Sequence, residues 1–252
     1  KTKAIVPVHW SGRICNMKKI IKLAKKYKLH IVEDACHAIL AHDDKKKFAG
    51  NFGITGCFSM HPLKNLNVWG DGGVITTNNK KIYEKLKLMR NHGLISRDNC
   101  KIYGYNSRLD TIQAAVLLAK FEQFKSEVKK RNLVGQKYSQ KIQEICPTKV
   151  KVPEILEHYT SVFAQYTIQV EHRKKIVDLL KMKGIPTSIH YPTPLHQQPA
   201  IERFLTKKES FPKAEQAAKK VLSLPMHPYL SDSDIQTVAD ALKFAILMAS
   251  LL

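Results

Sequence analysis

A lysine and a carboxylate, thirty residues apart, are the side chains of this sequence that point most directly to chemistry. Lys64 lies between two apolar runs, Gly56 to Met60 and Val74 to Thr77, which are typical of neighbouring strands. Its near neighbours are largely apolar, and apolar surroundings favour the neutral amine over the ammonium. A neutral lysine amine can attack a carbonyl group and form a Schiff base. The alternative is a loop lysine that pairs with Asp71.

The carboxylate is that of Asp34, near the end of the apolar run His30 to Ala35. Ala4 to His9 is typical of another strand, and Asn16 to Lys28 has apolar residues at helical spacing behind an asparagine N-cap. Strand, helix and strand in this order predict a parallel sheet, whose ligands bind beyond the carboxyl ends of the strands. We therefore expect Asp34 at the edge of a ligand crevice. The alternative is that its carboxylate caps the following turn.

Composition narrows the classes of function. The 252 residues are 44% hydrophobic, enough for a substantial core, and 42 Lys+Arg against 21 Asp+Glu give a net charge of +21. The lysines are spread along the solvated faces of predicted helices, without the aromatic and basic platform of a nucleic-acid-binding protein. No apolar run has the length of a membrane span. We expect neither a nucleic-acid partner nor a membrane partner.

The cysteines and histidines indicate neither disulfides nor a metal. Eleven histidines lack the spacing of metal ligands on a helix, so we expect no metal. Five cysteines, an odd number without a C-x-x-C pair, predict reduced thiols in a cytoplasmic protein. They are Cys15, Cys36, Cys57, Cys100 and Cys146.

The middle of the chain predicts two helices and a domain boundary. Lys80 to Arg90 has one apolar face, and a long helix is expected from Leu109 to about Gln143. The first turns of the long helix are apolar all round, so we expect them to be buried, either in the core or in a subunit interface. A shift in composition at Lys125 to Arg131 separates a first domain, 1–125, from a second, 126–252.

The second domain alternates between strand and helix signals. Val162 to Val170 alternates as a strand does, and Arg173 to Lys183 is typical of a helix that ends at a glycine. Ser210 to Lys220 and Ser231 to Ala249 predict the closing helices.

Several ordered motifs together resemble one family. They are EDACHA, FSMHPLKN, GDGG before a strand, RNHG and YGYNSRLDTIQAA. The chain resembles the DegT/StrS nucleotide-sugar aminotransferases, which are pyridoxal-phosphate enzymes of fold type I. The resemblance extends over nearly the whole chain, from PVHWSGR near its start to LSLPMHPYL near its end. The resemblance implies an α/β fold in which 1–125 is the C-terminal part of the large cofactor-binding domain, with a mixed or parallel sheet. Residues 126–252 would be the small α+β domain, and we expect an N-terminal portion of the large domain to be missing.

The resemblance also implies roles for individual residues. Lys64 would form the Schiff base with pyridoxal 5'-phosphate and move the proton, and Asp34 would accept the pyridinium N–H. Ser59 would donate to the phosphate. Asn106 matches the asparagine that reaches the phosphate of the neighbouring subunit, which implies a homodimer with shared active sites. His37 either hydrogen-bonds the ring oxygen of the cofactor or is a buried histidine with satisfied hydrogen bonds.

The expected reaction is transfer of an amino group, from glutamate, to a nucleotide-linked keto sugar in surface polysaccharide or glycan biosynthesis. The segments around Arg108, His190 and Tyr191 look most like enzymes that act on UDP-2-acetamido-3-keto-glucuronate. The arginine fork suits a carboxylate, and His190 with Tyr191 would bind the sugar or diphosphate. Alternatively, Arg108 pairs with Asp110 at the helix start, prolines merely shape the turn, and the substrate is another UDP- or dTDP-keto-hexose.

A second function class remains open. The chain can be a non-catalytic fragment or paralogue that keeps the fold and the dimer surface, because an absent N-terminal portion would remove cofactor contacts. The presence of Lys64, Asp34, Ser59 and Asn106 favours an enzyme whose sequence is incomplete.

Overall fold

A four-stranded sheet carries Asp34 in the computed structural model, which describes residues 1–205 and 209–251. The first three strands are parallel, and the fourth runs antiparallel to the third. This parallel pairing confirms the predicted strand, helix and strand unit. In spatial and chain order the strands are β1 (Ala4–Ile5), β2 (His30–Asp34), β3 (Thr55–Ser59) and β4 (Gly73–Thr76).

The first strand is shorter than the predicted Ala4 to His9. Pro7 has no N–H, so it interrupts the ladder after Ile5. Contact with β2 nevertheless continues, because the Asp34 N–H donates to the Pro7 carbonyl over 3.0 Å and the His9 N–H donates to the Asp34 carbonyl over 2.9 Å. The segment therefore follows β2 to its carboxyl end, as the prediction requires.

Helix α1 (Met17–Tyr27) begins at the predicted cap. The Asn16 side chain accepts a hydrogen bond from the Lys19 N–H over 3.1 Å, which satisfies one of the free N–H groups of the first turn. Met17 and Ala24 are buried, whereas the lysines of the helix are exposed. Capping residue and apolar spacing together fix this element locally.

The segment after β4 contains four further elements. The predicted helix at Lys80 is confirmed, but the predicted loop 91–107 contains a small antiparallel hairpin. The long predicted helix begins two residues after Leu109. The elements are α2 (Lys80–Met89), β5 (Leu94–Ser96), β6 (Asn99–Cys100) and α3 (Thr111–Ile145).

The start of α3 is not buried in the core of its own chain. Ile112, Leu118 and Phe121 are 75%, 69% and 50% exposed. For these residues the expectation of core burial is wrong, because the residues of α3 that face the core here include Phe124 and Val128. Burial in a subunit interface, the other alternative, stays a prediction.

The chain divides into two units. The first comprises Lys1–Lys129 and Ile155–Ala164, and the second comprises Lys130–Glu154 and Gln165–Leu252. The predicted boundary after residue 125 stays a prediction. The core of the first unit joins α1, β2 and the segments that flank Lys64; it includes Met17, Ile31, Ala35, Ala38, Met60, Leu66, Val68 and Phe124.

The second unit has a three-stranded antiparallel sheet. The strand predicted over Val162 to Val170 begins only at Tyr166, and two other strands were not predicted. The elements are β7 (Val150–Lys151), β8 (Tyr166–Val170), α4 (Arg173–Met182), α5 (Pro199–Glu202), α6 (Pro212–Lys220), β9 (Val221–Leu224) and α7 (Asp232–Leu251). Within the described ranges, no helix has both the length and the apolar character needed to cross a membrane.

Candidate functional site

A cleft at the carboxyl ends of β2 and β3 brings several predicted residues together. Three of them, His37, Ser59 and Lys64, line it, and Asp34 directly precedes its first lining residue. The cleft contains about 220 Å³ of space, part of it open to solvent. Its walls are Ala35, Cys36, His37, Ile39, Phe58, Ser59, Lys64, Asn65 and Leu66.

Asp34 is held rigidly by its main chain while part of its carboxylate stays available. It pairs with Cys57 of β3 on one side and with the segment around Pro7 on the other. Oδ1 accepts the Cys36 N–H over 3.1 Å, so the turn-capping contact considered as an alternative is present. The Cys36 thiol is also a hydrogen-bonding neighbour of this carboxylate, whose two oxygens together offer about four acceptor positions. The carboxylate can therefore cap the turn and still accept a hydrogen bond from a ligand.

Lys64 lies in a turn between β3 and β4 and is half-buried. Its N–H donates to the His61 carbonyl over 2.9 Å, and its carbonyl accepts from the Asn67 side chain over 3.2 Å. Its ammonium has no hydrogen-bond or ion-pair partner among residues 1–205 and 209–251. The alternative considered for Lys64, an ion pair with Asp71, is therefore not seen among the described residues.

The apolar surroundings predicted for Lys64 exist on one side only. Leu66 and Val68 are buried, but Leu63 and Trp69 are 87% and 77% exposed. The expectation is wrong for the latter two, because the tight turns of this loop direct them towards solvent, with Trp69 in the left-handed region at φ 59°.

The pKa of the Cys36 thiol is affected by both Asp34 and Lys64. Burial raises its pKa, the hydrogen bond and charge of Asp34 raise it further, and the Lys64 charge lowers it, with a result of about 12. The thiol therefore stays protonated at neutral pH.

Ser59 ends β3 with its hydroxyl at the cleft. Its Oγ accepts the His61 N–H over 3.3 Å. A hydroxyl that accepts from a backbone N–H keeps its own hydrogen for another acceptor. Ser59 can therefore donate to an anionic group in the cleft.

His37 is half-buried, and its ring has defined neighbours. Nδ1 accepts the Ser11 N–H over 3.3 Å, and the Trp10 ring lies 5.0 Å away, centroid to centroid. With Nδ1 as acceptor, the proton of the neutral ring is at Nε2. Both roles considered for His37 are compatible with this arrangement.

A buried pair next to the cleft, His9 with Glu33, was not predicted. Both side chains are fully buried, and His9 Nε2 lies 2.8 Å from Glu33 Oε2. Glu33 also accepts the N–H groups of Gly50, Phe52 and Gly53 over 2.8, 2.5 and 2.6 Å. The available sequence signal was an acidic residue at a core-facing position of a strand, which needs a partner.

The Glu33 carboxylate stays ionised because of these donors. Burial alone would raise its pKa, but the hydrogen bonds from His9 and from the backbone N–H groups of Gly53 and Gly50 lower it below its ordinary 4.5. His9 Nδ1 in turn accepts the Cys15 N–H over 3.2 Å. The pair thus connects β2, the segment 9–15 and the segment 50–53.

The remaining predicted residues lie outside the lining of the cleft. Asn106 and Arg108 are exposed, and Arg108 Nε donates to Asn106 Oδ1 over 3.0 Å. The alternative pairing of Arg108 with Asp110 is not seen among the described residues. The Asp110 N–H instead donates to Gln113 Oε1 over 3.2 Å.

His190 and Tyr191 belong to the second unit. They follow Ser188, whose N–H donates to the Ser223 carbonyl of β9 over 3.1 Å. Their rings meet edge to face with centroids 5.5 Å apart, and Tyr191 is 58% exposed. An aromatic and an imidazole ring held beside a strand can offer stacking and hydrogen bonds to a polar ligand.

Comparison with known proteins identifies the family to which the chain is similar. The family described as "DegT/DnrJ/EryC1/StrS aminotransferase family" matches residues 1–243. The chain is 39% identical over 240 residues to a "Pleiotropic regulatory protein" of Geobacillus stearothermophilus, covering 95% of this chain and 64% of that protein. It is 37% identical over 242 residues to a UDP-2-acetamido-2-deoxy-3-oxo-D-glucuronate aminotransferase of Pseudomonas aeruginosa, covering 96% and 66%. The chain thus spans slightly less than two thirds of each relative.

Solved structures share the fold. A DegT DnrJ EryC1 StrS aminotransferase from Brucella abortus has a TM-score of 0.90 at 35% identity, over 97% of this chain and 64% of that one. NtdA from Bacillus subtilis, with bound cofactor PMP, has a TM-score of 0.87 at 28% identity, over 98% and 57%. The predicted α/β fold of an aminotransferase is confirmed.

Proposed function

This chain belongs to the DegT/DnrJ/EryC1/StrS aminotransferase family, and from that premise we propose that the protein transfers an amino group from glutamate to a nucleotide-linked keto sugar. One observation carries the proposal. The Lys64 amine, which has no partner in the described ranges, lines a cleft at the carboxyl ends of parallel strands, and the Asp34 carboxylate directly precedes the first lining residue of that cleft. That edge is where such sheets bind ligands.

The cofactor of this family is pyridoxal 5'-phosphate, and the residues present fit it. When bound, the cofactor supplies an aldehyde that condenses with amines and a ring that withdraws electrons. Asp34 Oδ2 can accept the ring N–H, and Ser59 keeps a hydroxyl hydrogen for a phosphate oxygen. His37, whose ring is held by Ser11, would contact the ring oxygen.

Lys64 would do two things with its Nζ. As a neutral amine it would hold the cofactor aldehyde covalently, and as a free amine it would hold and move the proton of the substrate carbon. The main-chain contacts on both sides of Lys64 fix its starting point at the cleft. The negative charge of Asp34 would favour a protonated ring nitrogen.

For the substrate, we infer a uronate. The P. aeruginosa relative is named for a 3-oxo-glucuronate. Arg108 uses Nε for Asn106, which leaves its two terminal nitrogens for a carboxylate. His190 and Tyr191 would bind the sugar or diphosphate. Another UDP- or dTDP-keto-hexose remains the competing substrate.

We further propose that the protein acts as a cytoplasmic homodimer with shared active sites. The exposed apolar side chains at the start of α3 offer a surface for a second copy. Asn106 would then reach the phosphate in the partner's site, which agrees with its place outside the lining of its own cleft. Nothing in the residues of the cleft favours the non-catalytic alternative.

Covalent trapping of the cofactor tests the proposal. We expect the protein with added pyridoxal phosphate to show a Schiff-base absorption band that disappears on borohydride reduction, with one label at Lys64 by peptide mass spectrometry. Lys64→Arg serves as the unlabelled control. Label at a different lysine, or transamination by Lys64→Ala, would overturn the assignment.

A further inference from the structure

Two polar side chains of α3 reach the loop that presents Lys64. Gln113 and Lys120 are seven residues apart, so they lie on one face of the helix, two turns from each other. Gln113 Nε2 donates to the Asp71 carbonyl over 3.0 Å. A Cβ at Gly70 would lie 2.9 Å from the same nitrogen, so loop and helix are in close contact there.

Lys120 connects to Lys64 through one side chain. Its Nζ donates to Asn67 Oδ1 over 2.6 Å, and Asn67 Nδ2 donates to the Lys64 carbonyl over 3.2 Å. Both ends of the Asn67 amide are used, so its orientation is fixed. The first bond is short and charge-assisted, the stronger class of hydrogen bond.

The contact between Lys120 and Asn67 is partly shielded from solvent and supported by a neighbouring ring. Lys120 and Asn67 are both half-buried, and the Lys120 ammonium also lies 6.0 Å from the centre of the Trp69 ring. A second side chain of the loop, that of Asn65, donates to the Val162 carbonyl over 3.1 Å. The loop has no regular secondary structure of its own, so side chains of this kind decide where its main chain lies.

We propose that Lys120 and Asn67 are positioning residues that fix the main chain at Lys64, so that its amine enters the cleft from one direction. The inference rests on the proposed function in that Lys64 is taken as the reactive lysine. Without the Lys120 ammonium, Asn67 Oδ1 loses its donor and the amide can turn away from the Lys64 carbonyl. Lys64 then samples a wider range of positions, and the reactive geometry is populated for a smaller fraction of the time.

Hydrogen exchange on the protein without cofactor tests the geometry by itself. In Lys120→Met and in Asn67→Ala, the amides of Lys64 and Val68 should exchange about tenfold faster, the effect of losing one charge-assisted hydrogen bond. The double variant should match the single variants, because the two residues form one connection. Lys120→Arg keeps a donor and should restore much of the protection. The control is Lys125→Met, an exposed lysine of α3.

Unchanged exchange in Lys120→Met and Asn67→Ala, or additive effects in the double variant, would overturn the inference. A second arm measures the rate at which pyridoxal phosphate is trapped on Lys64 by borohydride. We expect about a tenfold slower rate in Lys120→Met than in Lys125→Met. Equal rates would contradict the positioning role. If even the unaltered protein is not labelled at Lys64, the proposed function fails while hydrogen exchange still decides the positioning.

Discussion

At the scale of single residues, the cleft and its edge combine a carboxylate that can accept further hydrogen bonds, an amine without a partner among the described residues, and a hydroxyl that keeps its hydrogen. Two of these groups are anchored, Asp34 through Oδ1 and Ser59 through the acceptor role of Oγ, whereas Lys64 is held through its main chain only. Anchored groups lose little further freedom when a ligand binds, so they bind it more tightly than mobile ones. Preorganisation therefore lies in the hydrogen bonds of the strand ends.

The Glu33 carboxylate predicts a pH dependence of stability. Its pKa in the folded state lies below 4.5, so its stabilising contribution is present above pH 4.5 and is lost as the pH falls through the lower folded value. In Glu33→Gln, the amide N–H₂ faces backbone N–H groups, which are also donors. We expect the free energy of unfolding of this variant to be lower by roughly 2–4 kcal/mol at neutral pH. Urea unfolding measures this free energy at neutral and at acid pH. The difference between Glu33→Gln and the unaltered protein should be smaller at acid pH.

The control for this experiment is Asp44→Asn. Asp44 pairs with Lys18, whose side chain is largely exposed, and such ion pairs contribute little, so its loss should change stability far less than Glu33→Gln does. A Glu33→Gln variant as stable as Asp44→Asn at neutral pH would show that the buried carboxylate has no such role.

Arg108 allows a test of the substrate class. Arg108→Lys keeps the charge but loses the planar fork that binds a carboxylate through two hydrogen bonds. We expect kcat/KM to fall about tenfold or more on a uronate substrate and much less on the corresponding neutral hexose. Steady-state kinetics with both substrates measure the ratio. An equal loss on both, or better turnover of a neutral 4-keto sugar by the unaltered enzyme, would argue against the uronate.

At the scale of elements, the helices with local signals were predicted well. The Asn16 cap and the apolar spacing behind it place α1 within one residue of its observed ends, and α2 likewise begins at the predicted Lys80. Strands were less accurate, since β1 ends at Ile5 before Pro7 and β8 starts four residues later than predicted, at Tyr166. Strand ends depend on the partner strand, which a local pattern does not contain.

The beginning of α3 shows the limit of reasoning from one element. Its apolar side chains predicted burial, but periodicity does not tell whether they are buried against the same chain or against a second one. Ile112 and Leu118 are mostly exposed, whereas Phe124, further along the helix, is buried. One helix thus changes from a solvent-facing apolar surface to a core helix along its length.

At the scale of the whole molecule, this exposed surface makes the proposed dimer testable. Leu118→Glu introduces a charge where two copies would meet, and in a symmetric dimer the cost of burying it arises twice. We expect the variant to sediment as a monomer in analytical ultracentrifugation and to lose activity if the sites are shared. Met182→Glu is the matched control, at a residue of α4 that is 82% exposed.

The two variants together decide the question. A Leu118→Glu protein that keeps the association state of the unaltered protein would contradict the role of α3. Dissociation by Met182→Glu as well would show that charge alone, and not this surface, causes the change.

The sequence by itself determined the order of the longer helices and of the strands that flank Asp34 and Lys64. Strand signals before Asp34 required it to lie near the carboxyl edge of a parallel sheet, because that edge follows from chain direction alone, and the signals around Lys64 put it in a loop between two strands. That this loop lies at the same edge depends on the parallel pairing of β3 with β2, which the tertiary structure decided. The tertiary structure also decided which groups support Asp34 and Lys64. His9 meets Glu33 across 24 positions and Lys120 meets Asn67 across 53, and such pairs depend on how the elements pack. Local patterns specify an element and its faces, whereas the partner of a side chain is specified only when those faces come together.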